Sequence, residues 1–137
     1  MQPKITEITP DKTLPIRHEV MWPDRPIDYV ELPNDDQGQH FGLFINGQLI
    51  SVTSLFIENQ QAQFRKFATL NEHQGQGYGS LLLKHVFRLA EQQQFKRIWC
   101  NARMDKSSYY AKFGMKLTDN TFNKGGIDYV IMEKTFD

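Results

Sequence analysis

Three glycines at alternate positions mark the segment of this chain whose residue types can do chemistry. Gly75, Gly77 and Gly79 stand after a predicted strand and directly before an amphipathic helix. Glycine adopts backbone angles that other residues avoid, and it lets the main chain approach a ligand closely. The N–H groups and the dipole at the start of a helix attract negative charge. The segment therefore predicts a phosphate site built from backbone amides.

The glycine spacing excludes the two common nucleotide-binding loops. It differs from the dinucleotide pattern G-x-G-x-x-G, and no Gly-Lys-Ser or Gly-Lys-Thr follows it, as one does in a P-loop. Taken alone, the segment also fits a tight turn that only connects a strand to a helix. A second motif has to decide between these two interpretations.

The elements around the glycines predict a strand, a helix and a second strand. The first strand covers residues 63–70, with a bulge near Arg65 and Lys66, and the second covers residues 97–101. Between them a helix runs from Gly79 to about residue 92. Its apolar side chains recur at helical spacing at Leu82, Leu83, Val86, Phe87, Leu89 and Ala90. Two strands joined in this way lie parallel.

The remaining pattern predicts further strands and short helices. Asp11 or Thr13 caps a first helix that ends before Pro23, and a long loop continues to residue 39. Asn46 and Gly47 suit the turn of a hairpin. The further strands cover residues 4–8, 41–45, 49–56, 115–117 and 129–134, and a short helix covers 106–113. The predicted fold class is α/β with a mixed, mostly antiparallel sheet flanked by helices.

Composition favours one compact domain over residues 1–137. A chain of 137 residues, 39% of them hydrophobic, has enough apolar side chains for a single core. Sixteen basic and sixteen acidic side chains cancel, which argues against a nucleic-acid or membrane partner. The single cysteine, Cys100, lies in an apolar run, and no Cys and His cluster indicates a metal. The N-terminal residues lack a long apolar run, so we expect a cytoplasmic protein without a metal.

Two motifs together carry a family resemblance. The loop Gln74-Gly75-Gln76-Gly77-Tyr78-Gly79 matches the pattern Q/R-x-x-G-x-G/A, and the block Tyr109-Tyr110-Ala111-Lys112-Phe113-Gly114-Met115 is similar to F-Y-x-x-x-G-F. In this order, after the hairpin, they resemble the GNAT superfamily of acyl-CoA-dependent N-acetyltransferases. The resemblance extends over essentially the whole chain, and Met115 replaces the usual Phe of the second block.

The resemblance implies that the chain binds acetyl-CoA as a co-substrate. Loop amides would hold its pyrophosphate at Gln74, Gly75, Gln76, Gly77, Tyr78, Gly79 and Ser80. The pantetheine arm would lie between two splayed central parallel strands, at residues 65–69 and 97–101. There the strand at Phe67, Ala68 and Thr69 would supply main-chain groups, including an N–H that polarises the thioester carbonyl. Asn101 would bind the pantetheine amide.

Tyr110 matches the general acid of the family, which protonates the departing CoA thiolate. A phenol, with an ordinary pKa of about 10, suits proton transfer to a thiolate, and Tyr109 ranks second. The base stays open, because Gln63, Arg65, Phe67 and Thr69 offer no carboxylate on that side of the strand. The candidates are Glu72, Asp105, Asp128, Glu31 or a water chain to solvent.

The expected reaction is acetyl transfer from acetyl-CoA to a primary amine of a small molecule. No Cys has a paired base in sequence, so direct transfer in a ternary complex is favoured over an acetyl-enzyme. The segments 21–40 and 122–129 are expected to shape the acceptor site. Two alternatives remain open: a non-catalytic acyl-CoA-binding domain, and an acetyltransferase for a protein N-terminus or lysine. A homodimer also stays open.

Overall fold

The structure, a computed structural model, describes residues 2–136 and contains seven strands and three α-helices there. The strands are β1 (Lys4–Ile8), β2 (Gln39–Ile45), β3 (Gln48–Glu58), β4 (Gln61–Thr69), β5 (Arg97–Arg103), β6 (Lys116–Lys124) and β7 (Ile127–Thr135). The helices are α1 (Pro10–Met21), α2 (Tyr78–Gln92) and α3 (Ser107–Ala111). Short 3₁₀ turns cover Ile27–Val30, Asp35–Gln37, Asn71–His73 and Met104–Lys106.

The strands form one mixed sheet in the order β1-β2-β3-β4-β5-β7-β6. The pairs β1–β2, β2–β3, β5–β7 and β6–β7 are antiparallel. β4 and β5 are parallel, with Gln61 opposite Arg97 and Gln63 opposite Trp99. The predicted α/β class with a mostly antiparallel sheet is therefore confirmed, and so is the parallel pair predicted on either side of the loop and helix.

The described chain folds as two compact units. The first unit comprises residues 2–56 and 65–86, and the second comprises residues 57–64 and 87–136. In the first unit the buried apolar side chains include Leu43, Ile50, Val52, Leu55, Leu82 and Leu83. In the second they include Ala62, Phe64, Phe87, Ala90, Ile98 and Met132. On α2, five of the six apolar positions predicted for the buried face are buried, and the sixth, Leu89, is partly exposed.

The start of α1 differs from the prediction. The helix begins at Pro10 and its N-cap is Thr9, which makes no capping hydrogen bond through its side chain. Proline favours the first helical position, because its fixed φ suits the helix and its missing N–H would have no partner there. Asp11 therefore lies inside the first turn, and Thr13 donates its hydroxyl hydrogen to the Pro10 carbonyl over 2.6 Å.

The turn between β2 and β3 has the backbone that its residue types predict. Asn46 and Gly47 both have positive φ, 51° and 79°, as the hairpin between β2 and β3 requires. Lys66 has a φ of 56°, so the strand β4 is irregular where a bulge was expected. The last two strands are longer than predicted, and Gly125 and Gly126 connect them with φ of 60° and 82°.

Candidate active site

The glycine loop, residues 74–80, joins the end of β4 to α2 through the turn Asn71–His73. Gly75 and Gly77 have φ of 76° and 87°, in the left-handed region that favours glycine. A Cβ added at either residue would meet nothing within 4 Å. The backbone of the loop is therefore open to a ligand on the side where a side chain would stand.

Gly79 has a different role from the other two glycines. It lies in the first turn of α2 without a left-handed backbone, and a Cβ there would come within 2.9 Å of Phe67 Cζ and 3.1 Å of Thr69 Oγ1. Both distances are shorter than ordinary carbon contacts. Glycine at this position therefore lets the start of α2 pack closely on β4. The structure thus brings the predicted residues Phe67 and Thr69 together with the loop.

The start of α2 presents backbone donors. The first hydrogen bond of the helix runs from Leu81 N to the Gly77 carbonyl, over 3.1 Å. The N–H groups of Gly77, Tyr78 and Gly79 precede it and have no partner within the helix. The first turn also carries no acidic side chain. These donors and the helix dipole therefore favour an anion at this end of α2.

Gln74 stabilises the loop through its side chain. Its amide Nε2 donates to the Thr69 carbonyl over 2.8 Å and to Asn71 Oδ1 over 3.1 Å. Its backbone N–H donates to the Asn71 carbonyl over 3.3 Å. The signature glutamine therefore ties the loop to the end of β4.

The predicted pantetheine-binding segment of β4 already takes part in hydrogen bonds. Ser51 Oγ donates to the Ala68 carbonyl over 3.2 Å and lies 2.8 Å from Thr69 Oγ1. Ala68 is buried, while Phe67 and Thr69 are partly exposed. The end of β4 is thus held by β3 as well as by Gln74.

Tyr110 lies on the short helix α3, in the second unit, among aromatic side chains. Its ring centroid is 5.8 Å from that of Phe64 and 5.3 Å from that of Tyr109. It is partly buried, and burial raises the pKa of its hydroxyl above the ordinary value, with smaller contributions from Cys100 and Tyr109. Tyr110 therefore stays protonated at neutral pH and is a weaker acid than a free phenol.

Cys100 and Asn101 are neighbours on β5 with opposite environments. Cys100 is buried, and burial raises the pKa of its thiol to about 12. A thiol with such a pKa is a poor nucleophile at neutral pH. Asn101 is exposed and pairs with Ile131 of β7. The strand continues to Arg103, so Asn101 does not stand at its end, where it was predicted.

Among the carboxylates considered as a base, Asp128 has the most defined surroundings. It lines an open cavity of about 290 Å³ together with Met104, Thr121, Phe122, Asn123 and Tyr129. Its Oδ1 accepts a hydrogen bond from Asn123 Nδ2 over 3.0 Å. The rings of Phe122 and Tyr129 stack with centroids 5.2 Å apart. Asp128 is exposed, as are Glu31, Glu72 and Asp105.

A buried polar cluster in the first unit was missed from the sequence. We call Arg17, Asp35, His40 and Ser54 the Arg17 cluster. Arg17 is fully buried and donates to Asp35 Oδ2 over 2.8 Å, to Asp35 Oδ1 over 3.0 Å and to Ser54 Oγ over 2.8 Å. His40 contacts Ser54 Oγ through Nδ1 over 2.6 Å and donates from Nε2 to the Asp35 carbonyl over 2.8 Å.

The charge of Asp35 is stabilised within this cluster. Burial by itself would raise the pKa of Asp35, but the hydrogen bonds from Arg17 and from the Leu32 N–H, with the charges of Arg17 and His40, hold that pKa below its ordinary value. Asp35 is therefore ionised at neutral pH. The ion pair of Arg17 and Asp35 also fixes the segment after α1, because Arg17 donates to the Val30 carbonyl over 3.0 Å as well.

Residues 2–136 contain neither a metal-ligating cluster nor a helix that could span a membrane. No three His, Cys, Asp or Glu side chains there converge in a way that would hold a metal ion. No helix in that part of the chain combines the length and the apolar character needed to cross a bilayer.

The comparison with protein families decides the assignment. A family model described as an acetyltransferase (GNAT) domain matches residues 20–136. The chain belongs to the GNAT acetyltransferase family. The uncharacterised N-acetyltransferase YitI of Bacillus subtilis is 32% identical, in an alignment that covers 96% of this chain and 95% of YitI. The predicted family and the predicted enzyme class, an N-acetyltransferase, are thereby confirmed.

Solved structures share the fold. A protein of Lactobacillus plantarum assigned as an N-acetyltransferase has a TM-score of 0.87 at 20% identity, covering 98% of this chain and 99% of its own. A GNAT family acetyltransferase from Elizabethkingia anophelis, solved with acetyl-CoA bound, has a TM-score of 0.75 at 18% identity, covering 98% of each chain. At these identities the likeness supports the fold of this GNAT chain.

Proposed function

We propose that this GNAT chain transfers an acetyl group from acetyl-CoA to a primary amine of a small molecule, by direct transfer in a ternary complex. The observation that carries the proposal is the open backbone of the glycine loop at the start of α2. Gly75 and Gly77 have left-handed φ, a Cβ at either residue would have nothing within 4 Å, and α2 follows at once. That arrangement suits the pyrophosphate of acetyl-CoA.

The loop and the end of β4 would hold the cofactor. Loop amides from Gln74 to Ser80 would bind the pyrophosphate, and main-chain groups of Phe67, Ala68 and Thr69 would bind the pantetheine arm. The Ala68 and Thr69 carbonyls already accept hydrogen bonds. Asn101, exposed on β5, would add a side-chain contact.

Tyr110 would act as the general acid toward the CoA thiolate. Its pKa is raised by burial, so proton transfer to a solvated thiolate, with an ordinary pKa near 8.5, would be uphill. A thiolate that forms in the same poorly solvated surroundings has a raised pKa as well, so the pKa values of the thiol and of the Tyr110 hydroxyl lie closer together. The hydroxyl also makes no hydrogen bond with other residues of the range 2–136, so it is available to a ligand.

The acceptor amine must lose a proton before it attacks the thioester. We favour Asp128 as the base, because it lines a cavity with aromatic walls. The apolar rings and Met104 suit the carbon chain of an amine, and the carboxylate suits its ammonium group. The buried thiol of Cys100, with its pKa of about 12, argues against an acetyl-enzyme and for direct transfer.

The test combines acetyl-CoA binding with turnover. Calorimetry with acetyl-CoA should show binding, and thiol release should then be followed over a panel of primary amines. Tyr110→Phe should lower kcat by about 10²- to 10⁴-fold, as expected for loss of a general acid, with unchanged affinity for acetyl-CoA. Tyr109→Phe, the matched control, should retain most of the activity.

Each outcome has a definite meaning. Absence of acetyl-CoA binding would reject the cofactor assignment. Equal turnover by wild type and Tyr110→Phe would remove Tyr110 from its proposed role. Binding of acetyl-CoA without turnover of any amine would favour a non-catalytic acyl-CoA-binding domain.

A further inference from the structure

Five aromatic side chains of the second unit contact each other in a closed circle, which we call the aromatic circle. They are Phe64 of β4, Phe87 of α2, Tyr109 and Tyr110 of α3, and Phe113, which follows α3. The ring centroids lie 5.9 Å apart for Phe64–Phe87, 5.7 Å for Phe87–Phe113, 5.3 Å for Phe113–Tyr109, 5.3 Å for Tyr109–Tyr110 and 5.8 Å for Tyr110–Phe64. Tyr110 is therefore held from both sides, by Phe64 and by Tyr109.

The geometry of the five contacts is uniform. Each pair of ring planes is inclined, by 49° at the least and 75° at the most. Tilted rings at this separation are an arrangement that aromatic side chains favour, because the positive edge of one ring meets the negative face of the next. Since the circle is closed, each ring has two aromatic neighbours that restrict its orientation.

The helix that carries Tyr110 depends on such contacts. α3 comprises only five residues, Ser107–Ala111, and the side chain of Lys106 at its N-cap makes no capping hydrogen bond. A helix of this length is not stable by itself in water, because its few hydrogen bonds do not offset the entropy lost in the first turn. The position of Tyr110 is therefore set by the side chains that attach α3 to the rest of the second unit.

Phe113 connects α3 to α2 within the circle. Its ring contacts Tyr109 on one side and Phe87 on the other. Its backbone N–H donates to the Tyr110 carbonyl over 3.0 Å, and the next residue, Gly114, donates from its N–H to the Ala111 carbonyl over 3.0 Å. A displacement of Phe113 would therefore reach Tyr110 both through the backbone and through the Tyr109 ring.

Phe113 also differs from the other phenylalanines of the circle in its burial. Phe64 and Phe87 are only 3% and 7% exposed, so truncating either would leave a cavity in the core. Phe113 is partly exposed. Its ring can therefore be removed, and the circle opened, with less effect on the core.

We propose that Phe113 is a positioning residue for Tyr110: its ring closes the aromatic circle and so holds the Tyr110 hydroxyl where it can donate its proton to the departing thiolate. This inference rests on the proposed role of Tyr110 as the general acid, and it adds the side chain on which that role depends. Proton transfer needs a short hydrogen bond between acid and leaving group. A misplacement of about 1 Å can lower a rate by about 10²-fold.

The experiment measures kcat, the KM for the amine and the KM for acetyl-CoA. The variants are Phe113→Ala, Phe113→Leu, Tyr110→Phe and the double variant with Phe113→Ala and Tyr110→Phe. Phe44→Ala is the matched control, because Phe44 of β2 is also a partly exposed phenylalanine but lies in the first unit.

Hydrogen exchange gives a second measurement that needs no turnover. The amides of residues 113 and 114 donate to carbonyls of α3, so their exchange rates report how firmly this helix is held. These rates are compared between wild type, Phe113→Ala and Phe44→Ala.

Loss of the Phe113 ring should affect the chemical step and not binding. Phe113→Ala should lower kcat by about 10- to 100-fold and leave both KM values within about twofold. Phe113→Leu keeps an apolar contact with both neighbours, so its kcat should lie between those of wild type and Phe113→Ala. In the Tyr110→Phe background, Phe113→Ala should lower kcat no further, because a misplaced acid and an absent acid both leave the thiolate unprotonated. Exchange at residues 113 and 114 should be faster in Phe113→Ala, and Phe44→Ala should behave as wild type.

Other results would overturn the inference. An additive loss of kcat in the double variant would mean that Phe113 acts on something other than Tyr110, and so would a loss confined to KM. Unchanged exchange at residues 113 and 114 in Phe113→Ala would show that the ring does not hold α3. If wild type turned over no amine, the proposed reaction would be rejected, whereas faster exchange in Phe113→Ala would still support Phe113 as the residue that fixes Tyr110.

Discussion

The glycine loop and the Arg17 cluster both lie in the first unit, but the loop works through its backbone and the cluster through its side chains. The loop is exposed over most of its length and offers backbone N–H groups, with glycines that remove side chains from the approach. The cluster is buried and consists of side chains that neutralise and bind each other. The loop depends on local backbone conformation, whereas the cluster depends on partners from distant parts of the chain.

This difference predicts how each region responds to substitution. A buried ion pair is costly to interrupt, because the remaining partner keeps its charge in a poorly solvated place. Replacing a left-handed glycine in an exposed loop costs only the backbone strain of the new residue, so the free energy of unfolding falls less. Substitutions in the cluster should therefore change stability strongly, and substitutions in the loop should change ligand affinity more than stability.

The largest effect is expected for Asp35→Ala. It removes the counter-charge of the fully buried Arg17, and breaking a buried pair in this way costs about 3–5 kcal/mol of unfolding free energy. Asp105→Ala is the matched control: Asp105 lies 3.7 Å from Arg103, and both side chains are largely exposed. An exposed pair contributes at most about 1 kcal/mol. Denaturant unfolding measures both, and equal losses would contradict the buried role of Asp35.

The same contrast explains what could be predicted from the sequence. The loop is a local motif, so Gln74, Gly77 and Gly79 could be recognised from their spacing, and the block at residues 109–115 favoured a binding loop over a plain turn. The cluster joins residues 18 and 37 positions apart, from Arg17 to Asp35 and to Ser54, and no local pattern reports such contacts. The available signal was a polar residue at a position that the fold buries, Arg17 on α1 or His40 on β2.

Strand and helix types were predictable for a related reason. Apolar residues that alternate or recur at helical spacing indicate a strand or a helix with one buried face. Glycines in turns, such as Gly47, mark where such an element ends. Element ends were less predictable, because pairing with a neighbour sets them. β5 continues to Arg103 since Arg103 pairs with Tyr129, although the apolar run ends earlier. The role of Gly79 in packing on Phe67 was equally invisible, because it depends on how closely β4 approaches α2.

A pair of glycine substitutions separates strain from ligand binding. Gly75 and Gly47 have nearly the same φ, 76° and 79°, and an added Cβ would meet nothing within 4 Å at either. Alanine at either position should therefore cost about 1–2 kcal/mol of stability. Only Gly75→Ala, which alters the proposed pyrophosphate site, should weaken acetyl-CoA binding in calorimetry. If Gly47→Ala weakened it equally, the loss would reflect general destabilisation rather than the loop.

The smallest effect on stability is expected for Gln74→Ala. This substitution removes the hydrogen bonds from Nε2 to the Thr69 carbonyl and Asn71 Oδ1, which are exposed, so the cost should lie near the lower end of about 0.5–1.5 kcal/mol per hydrogen bond. The affinity for acetyl-CoA should fall by more than this loss of stability suggests, because the loop amides lose their fixed arrangement and must be ordered on binding. Gln76→Ala is the control, since Gln76 Nε2 makes only a long contact of 3.4 Å with the Glu72 carbonyl. Calorimetry and thermal unfolding of both variants decide the point: equal acetyl-CoA affinities would mean that Gln74 does not hold the loop in its binding conformation.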